Sequence, residues 1–282
     1  MHKQTQKRLF KSMKKILCSF ADKSLSKTVE RFKAQAESME VFDKIYIYSQ
    51  NNLDKSFKKK FKKYLIPYST GFGYWCWKPQ IILQTLEKVN DGDIVLYADI
   101  GCHLNINGKK RLSEYCEIVD KAETGILATR STKHLDRQYT KMDVFKYFGV
   151  ENNPEYTDTK TFEAGIAFFR KDKATLEFLH EWLDAIINNF RMLTDTPSIA
   201  PNFDDFIAHR HDQSIFSILG KKYNINEIPT EEEAYAEDWD KLRNFPILAK
   251  RDKIVKSRFH KKFRPQIAKF YHKLWQLLYN AD

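Results

Sequence analysis

The sequence lacks the features that mark several common classes of protein. It has only four cysteines in 282 residues, and none is spaced as a CxxC pair or a zinc finger. A few cysteines without paired spacing are typical of a protein in a reducing compartment, so we expect no disulfide and a cytoplasmic location. No apolar run approaches the roughly 18 residues of a membrane-spanning helix, and the run at residues 16–21 is too short for a signal peptide.

Acidic residues are missing or nearly missing from three segments. Residues 1–20 hold six Lys or Arg, residues 55–63 hold six Lys, and residues 250–273 hold ten Lys or Arg against one Asp. Because the whole chain has a net charge of +11, the remainder is acidic. Basic charge segregated in this way suits a phosphate-rich partner: an anionic membrane, a nucleic acid or a phosphorylated substrate.

The sequence does contain enough apolar material for a folded core. Hydrophobic residues make up 42% of the chain and aromatic residues 14%, and 282 residues allow one or two domains. We predict a catalytic domain over residues 1–249. A basic amphipathic tail that would associate with a membrane is predicted over residues 250–282.

Apolar patterns predict strands that alternate with helices. Strands are predicted at residues 16–20, 44–48, 94–98, 125–128 and 165–169. Helices are predicted at residues 24–39, in a basic segment ending at Leu65, from Lys78 onward, and at 174–190 and 212–222. Residues 191–206 are predicted as a long loop and residues 231–240 as an acidic surface stretch. This alternation indicates an α/β fold with helices on both faces of an open sheet, where ligands bind beyond the carboxyl ends of strands.

Asp99 stands at such a strand end, in the stretch GDIVLYADIGC. One interpretation is a turn residue whose side chain caps neighbouring amides. The other is a ligand of a divalent cation that in turn holds a diphosphate, since Mg²⁺ and Mn²⁺ prefer carboxylate oxygens. Spacing alone leaves both open.

Lys78 begins a predicted helix, where unpaired amides and the helix dipole favour an anion. An ammonium group added there would make a diphosphate site, although a solvated Lys at a helix end is the commoner case. Three aromatic residues precede it, Tyr74, Trp75 and Trp77. Their rings could stack on a base or a sugar, or could belong to the core.

Four stretches resemble motifs of GT-A type glycosyltransferases, and they occur in the same order. DGDIVLYADIG is similar to the strand and DXD segment, and FGYWCWKPQIILQTL to the helix before it in bacterial capsule and lipopolysaccharide transferases. TFEAGIAFFR and HRHDQSIFSIL resemble the FNAG and DQD segments of a retaining family. The second Asp of DXD is here Gly101, and the Asn of FNAG is Glu163.

The resemblance implies a GT-A (Rossmann-like) mixed sheet and a set of site residues. Asp99 would bind Mn²⁺ or Mg²⁺, with His260 of the segment FHKKFRP completing the metal site. The donor's nucleoside and diphosphate would be bound by Ser19, Asp22, Trp77, Lys78, Lys261 and Arg264. Asp212, Gln213 and Glu163 would lie at the reacting sugar, with a carboxylate serving as general base if the enzyme inverts.

Several of these residues also have a purely structural interpretation. Asp22 or Ser24 could cap the first helix, and Asp212 could cap the helix that follows it. His209 and His211 could bind a metal or phosphate, but histidines in loops are more often incidental. The tail repeats apolar residues at a spacing of three to four between Lys and Arg, which suits an anionic membrane or packing on the body.

The sequence therefore predicts a membrane-peripheral glycosyltransferase. It would transfer a sugar from a nucleotide-sugar donor, most simply a UDP-sugar, to a lipid-linked glycan of a bacterial capsule or lipopolysaccharide. One alternative is a nucleotidyltransferase, although SFADKSLSK after the first strand lacks the glycine-rich loop of that class. The other is a nucleic-acid-binding protein, suggested by the pI of about 9.2 but disfavoured by the acidic body.

Overall fold

The computed structural model describes residues 13–66, 69–234 and 238–252. The strands are β1 (Lys15–Phe20), β2 (Lys44–Tyr48), β3 (Ile94–Ala98), β4 (His103–Leu104), β5 (Ile126–Leu135), β6 (Lys160–Arg170), β7 (Asn226–Pro229) and β8 (Ile247–Leu248). The helices are α1 (Ser26–Ser38), α2 (Lys55–Lys60), α3 (Gly71–Tyr74), α4 (Lys78–Leu86), α5 (Lys109–Lys121), α6 (Asp136–Tyr139), α7 (Met142–Phe148), α8 (Pro154–Thr157), α9 (Lys173–Asn188) and α10 (Asp212–Lys222).

Six strands form one mixed sheet in the order β2-β1-β3-β6-β5-β7. Strands β1, β2 and β3 are parallel, β6 runs antiparallel to both β3 and β5, and β7 is parallel to β5. Strands β4 and β8 form a separate antiparallel pair. The predicted α/β class with a mixed sheet is thus confirmed, and β3 lies at its centre.

Helices cover both faces of the sheet, which explains the continuous apolar runs in the central strands. All five residues of β3 are buried, because a strand covered on both sides has no polar face. One apolar cluster joins the sheet to α4, α9 and α10, and the other joins it to α1 and α5. The two clusters fix the carboxyl end of β3 between helices of both layers.

Several predicted boundaries need correction. Strand β5 runs on to Leu135 and β6 begins at Lys160, so both are longer than their apolar centres. The basic helix ends at Lys60. In the predicted acidic surface stretch, Glu232 and Glu233 are paired within the protein instead. Glu232 accepts hydrogen bonds from the Arg111 guanidinium and the Tyr115 hydroxyl, and Glu233 is only 6% exposed. Acidic residues in sequence are typical of a surface, but Glu232 and Glu233 each have a hydrogen-bonding partner, Arg111 on α5 and Thr129 on β5, that allows them to lie inside the protein.

The basic tail beyond Asp252 lies outside the described residues, and so do the predicted roles of His260, Lys261 and Arg264. Within the described ranges, no helix is long and apolar enough to cross a membrane.

Candidate active site

An irregularity in β6 shapes the carboxyl end of β3. The pairing between β5 and β6 jumps from Ala128 opposite Ala167 to Thr129 opposite Glu163, so residues 164–166 have no partner on β5. The bulge turns two backbone carbonyls toward the end of β3. The Gly165 carbonyl accepts a hydrogen bond from the Asp99 backbone amide at 2.8 Å. The Ala164 carbonyl accepts one from Lys78 Nζ at 2.9 Å.

Lys78 is the first residue of α4, and its side chain is buried at the centre of this site. The residue is 3% exposed, and its Nζ lies 2.8 Å from Asp212 Oδ2 and 3.7 Å from Asp99 Oδ1. Burial acts to lower the pKa of Lys78, but the two carboxylates outweigh it and the pKa is raised. Lys78 is therefore a charged, internally paired ammonium, and the alternative of a solvated Lys at a helix end is wrong.

Asp212 begins α10 and supplies the other half of this ion pair. It is 4% exposed, and burial raises its pKa while the Lys78 charge opposes that rise. Since α10 has no side-chain cap, Asp212 is not a helix cap, contrary to the structural alternative. Gln213 follows as the second residue of α10, and its backbone N–H donates a hydrogen bond to the Arg210 carbonyl.

Asp99 is the accessible carboxylate of the group. Its side chain is 41% exposed, and its Oδ1 accepts a hydrogen bond from the Tyr97 hydroxyl at 2.6 Å. Its backbone carbonyl accepts from the Cys102 amide, which closes the turn. The turn is thus held by backbone, while the carboxylate points away from it toward Tyr97 and Lys78.

Two further carboxyl groups lie close to each other, that of Glu163 on β6 and that of Glu233, which follows β7. Burial raises the pKa of Glu163, while Arg251 and Arg210 act to lower it. Glu233 accepts a hydrogen bond of 2.8 Å from the hydroxyl of Thr129, the residue that faces Glu163 across the strands. Burial, with Glu163 close by, raises the pKa of Glu233 to about 8. Sequence reasoning missed Glu233, because it reaches Thr129 only through the parallel pairing of β7 with β5, which joins segments about 100 residues apart.

Because Glu233 keeps its proton in the folded protein up to a pH of about 8, it makes stability depend on pH. In the unfolded chain this carboxyl releases its proton near its ordinary value of 4.5, so the folded state loses stability as pH rises from there toward 8. We expect Glu233→Gln to remove that loss, raising the melting temperature near pH 8 and leaving it nearly unchanged near pH 4.5. The matched control is Glu123→Gln, at an exposed position. Equal melting shifts for both variants at both pH values would contradict this assignment.

The described residues supply only part of a metal site. Across residues 13–66, 69–234 and 238–252, no group of three His, Cys, Asp or Glu side chains is arranged to hold a metal ion. Asp99 is one suitable oxygen ligand, but Gly101 offers no side chain and Lys78 already neutralises Asp99 in part. This donor set does not complete a site for Mn²⁺ or Mg²⁺, so we derive no chemical step through a metal.

Ser19 and Trp77 are buried and bonded within the protein. The Ser19 hydroxyl donates to the Ala98 carbonyl at 2.7 Å, which ties β1 to β3. The Trp77 ring stacks on Phe20 with ring centres 3.9 Å apart, and its Nε1 donates to the Gly71 carbonyl. Their polar atoms are thus already used inside the fold, and both residues serve packing.

Asp22 lies just beyond the end of β1, and its carbonyl accepts from the Leu25 amide. Helix α1 begins at Ser26 after Leu25, without a side-chain cap. The cap position of α1 is therefore Leu25 rather than Asp22 or Ser24. Asp22 stands at the same edge of the sheet as Asp99, because β1 and β3 are parallel.

The chain is similar to several solved structures at low identity. One is a glycosyltransferase involved in the glycosylation of the major capsid of PBCV-1, 11% identical, with a TM-score of 0.45 over 92% of this chain and 99% of that chain. The galactosyltransferase LgtC is 12% identical, with a TM-score of 0.43 over 92% and 94%. A 4-diphosphocytidyl-2C-methyl-D-erythritol synthase from Anaerococcus prevotii is 11% identical, with a TM-score of 0.40 over 91% and 96%. No family model and no curated protein matches the sequence. Likeness at this level establishes neither family nor activity.

Proposed function

We propose that this chain is a glycosyltransferase that uses a nucleotide-sugar donor, most simply a UDP-sugar. The observation that carries the proposal is the group formed by Asp99, Lys78 and Asp212 beyond the carboxyl end of β3. This is the edge at which open α/β sheets bind their ligands. The half-exposed Asp99 carboxylate is held in place by the Tyr97 hydroxyl and by Lys78, so its position at that edge does not depend on mobile side chains.

Transfer breaks the bond between the sugar's anomeric carbon and the diphosphate oxygen, and forms a bond to an acceptor hydroxyl oxygen. In an inverting transfer, the hydroxyl's proton passes to a carboxylate. Glu163 suits that role, because burial raises its pKa toward the working pH and makes it a stronger base. Asp212 is held by Lys78 instead and fixes the geometry of the site. Gln213, the next residue of α10, is proposed to contact the transferred sugar.

Cationic side chains are proposed to stabilise the departing diphosphate. The charge of Arg251 acts to lower the pKa values of both Glu163 and Glu233, so its guanidinium lies near these two carboxyl groups. The backbone of Asp252 bonds to the carbonyl of Gly101, two residues after Asp99. The chain thus enters the basic tail beside the candidate site, and Lys261 and Arg264 are proposed to add to the same positive charge.

The remaining parts of the proposal follow from the sequence. A divalent cation, Mn²⁺ or Mg²⁺, would bind Asp99 together with the donor's phosphates and His260, and would supply further charge neutralisation. Asp22 would contact the nucleoside. The acceptor would be a lipid-linked glycan of a bacterial capsule or lipopolysaccharide, reached from the cytoplasmic side of an anionic membrane through the basic tail.

Thermal denaturation with nucleotides tests the proposal directly. A ligand that binds only the folded state raises the melting temperature. We expect UDP or a UDP-sugar to raise it in the presence of Mn²⁺ or Mg²⁺. Loss of the effect with EDTA would indicate a metal at Asp99, and persistence would assign the diphosphate to basic side chains. The absence of a shift with every nucleotide would contradict the proposal.

A further inference from the structure

Segment α3 and the residue after it form a left-handed turn before α4 rather than a regular α-helix. Five consecutive residues have positive φ: Gly71 (+56°), Phe72 (+51°), Gly73 (+92°), Tyr74 (+56°) and Trp75 (+58°). Left-handed backbone is unfavourable for a residue with a Cβ, and it persists where the surroundings hold it, often at ligand sites.

Contacts within the segment hold this turn in place. The Trp75 ring lies directly over Gly71, where a Cβ would approach it to 2.3 Å. The Gly71 carbonyl accepts from Trp77 Nε1 at 2.9 Å, and the Gly73 amide donates to the Ser69 hydroxyl at 3.0 Å. The sequence of the turn is therefore tied to one conformation, which presents Tyr74 and Trp75 on the same side as α10.

A second residue with positive φ meets this turn. His211 has a φ of +54°, and its ring centre lies 5.2 Å from that of Tyr74 and 5.4 Å from that of Trp75. Its Nδ1 lies 2.6 Å from the Leu193 carbonyl oxygen, which fixes the ring. The left-handed turn leads into Lys78 and His211 directly precedes Asp212, so two strained segments meet beside the buried ion pair.

Asp195 lies at the polar edge of the ring cluster formed by Tyr74, Trp75 and His211. Its carboxylate lies 3.6 Å from His211 Nε2, and its side chain is 58% exposed. Burial, with Asp195 alongside, raises the pKa of Tyr74 to about 12, so the Tyr74 hydroxyl remains a hydrogen-bond donor. A negative rim disfavours a diphosphate, whereas a neutral sugar matches a surface of aromatic rings with a carboxylate and an imidazole at its edge.

We propose that Tyr74, Trp75, His211 and Asp195 form a subsite for a pyranose unit of the acceptor glycan. The inference rests on the proposed glycosyltransferase function and deepens it. The group adjoins Asp212, so a sugar bound there would lie next to the reacting centre. The contacts that hold both strained segments keep the rings in position before the acceptor arrives, which lowers the entropy lost on binding.

Saturation-transfer NMR with simple sugars tests the subsite. The probes are methyl glycosides of glucose, galactose, N-acetylglucosamine and rhamnose, each added to the full chain with UDP. We expect saturation of the C–H protons of at least one probe. Trp75→Ala and Asp195→Asn should each weaken its binding about three- to tenfold. Tyr147→Ala, at an exposed aromatic residue on α7, is the matched control and should leave binding unchanged.

The outcomes separate this inference from the proposed function. A melting shift with UDP but no saturation of any probe would overturn the subsite and leave the transferase proposal standing. Saturation that neither variant reduces would also overturn it. If Trp75→Ala fails to fold, Asp195→Asn decides, since its exposed side chain contributes little to folding. The absence of a UDP shift is the failure of the proposed function itself.

Discussion

Asp99→Asn is expected to abolish sugar transfer while leaving the protein folded. The substitution removes the negative charge of the one well-exposed carboxylate in the group with Lys78 and Asp212. In the proposed function Asp99 would hold a divalent cation that neutralises the departing diphosphate, and losing one such charge-stabilising group typically costs about 100- to 1,000-fold in rate. Asn still offers an oxygen to the Tyr97 hydroxyl, so we expect the free energy of unfolding to change by about 1 kcal/mol or less.

The measurement is transfer to acceptor, or donor hydrolysis, beside a urea denaturation curve of each variant. Asp91→Asn is the matched control, because Asp91 is 90% exposed at the opposite end of β3. It should keep full activity. Full activity of Asp99→Asn would remove Asp99 from the proposed mechanism.

Lys78→Met is expected to destabilise the fold strongly. The variant leaves Asp212 buried without its cation and leaves the Ala164 carbonyl without its donor. Breaking a buried ion pair by removing one partner costs about 3–5 kcal/mol of the free energy of unfolding. The control is Lys33→Met, which breaks an exposed pair with Glu37, and such pairs are worth about 1 kcal/mol or less.

The double variant Lys78→Met with Asp212→Asn separates stability from function. Because Asn carries no charge, the double variant should recover a large part of the lost stability, which a double-mutant cycle measures as coupling. Activity should remain absent in the single and the double variant. If Lys78→Met costs no more than Lys33→Met, the buried ion pair does not exist in solution.

The local signals of the sequence were sufficient for most of the framework. The apolar run of β3 and the alternation of strands and helices predicted the α/β class, because burial on both faces leaves a pattern within a few residues. Asp99 was identified from its position at a strand end, and Lys78 from its position at a helix start. Strand ends and helix starts can be recognised from residues that are adjacent in the chain, so both positions were predictable.

The partners of these residues were not predictable in the same way. Lys78 was expected to face solvent or a phosphate, yet it is buried against Asp212 on α10. Glu233 was assigned to an acidic surface, yet it lies beside Thr129 of β5. Each position depends on where distant segments return to the sheet, and the sequence pattern around a residue carries no information about that.

Local sequence patterns are enough to predict the class of fold, the central strand and the carboxylate at its end. Which charges neutralise one another, and which remain accessible, depends on contacts between segments that are distant in the chain. The physical reason lies in the bulge at residues 164–166 and in the packing of α4 and α10 on the same face of the sheet. Together they bring Lys78 within ion-pair distance of Asp99 and Asp212, and the two carboxylates keep its ammonium charged against the effect of burial.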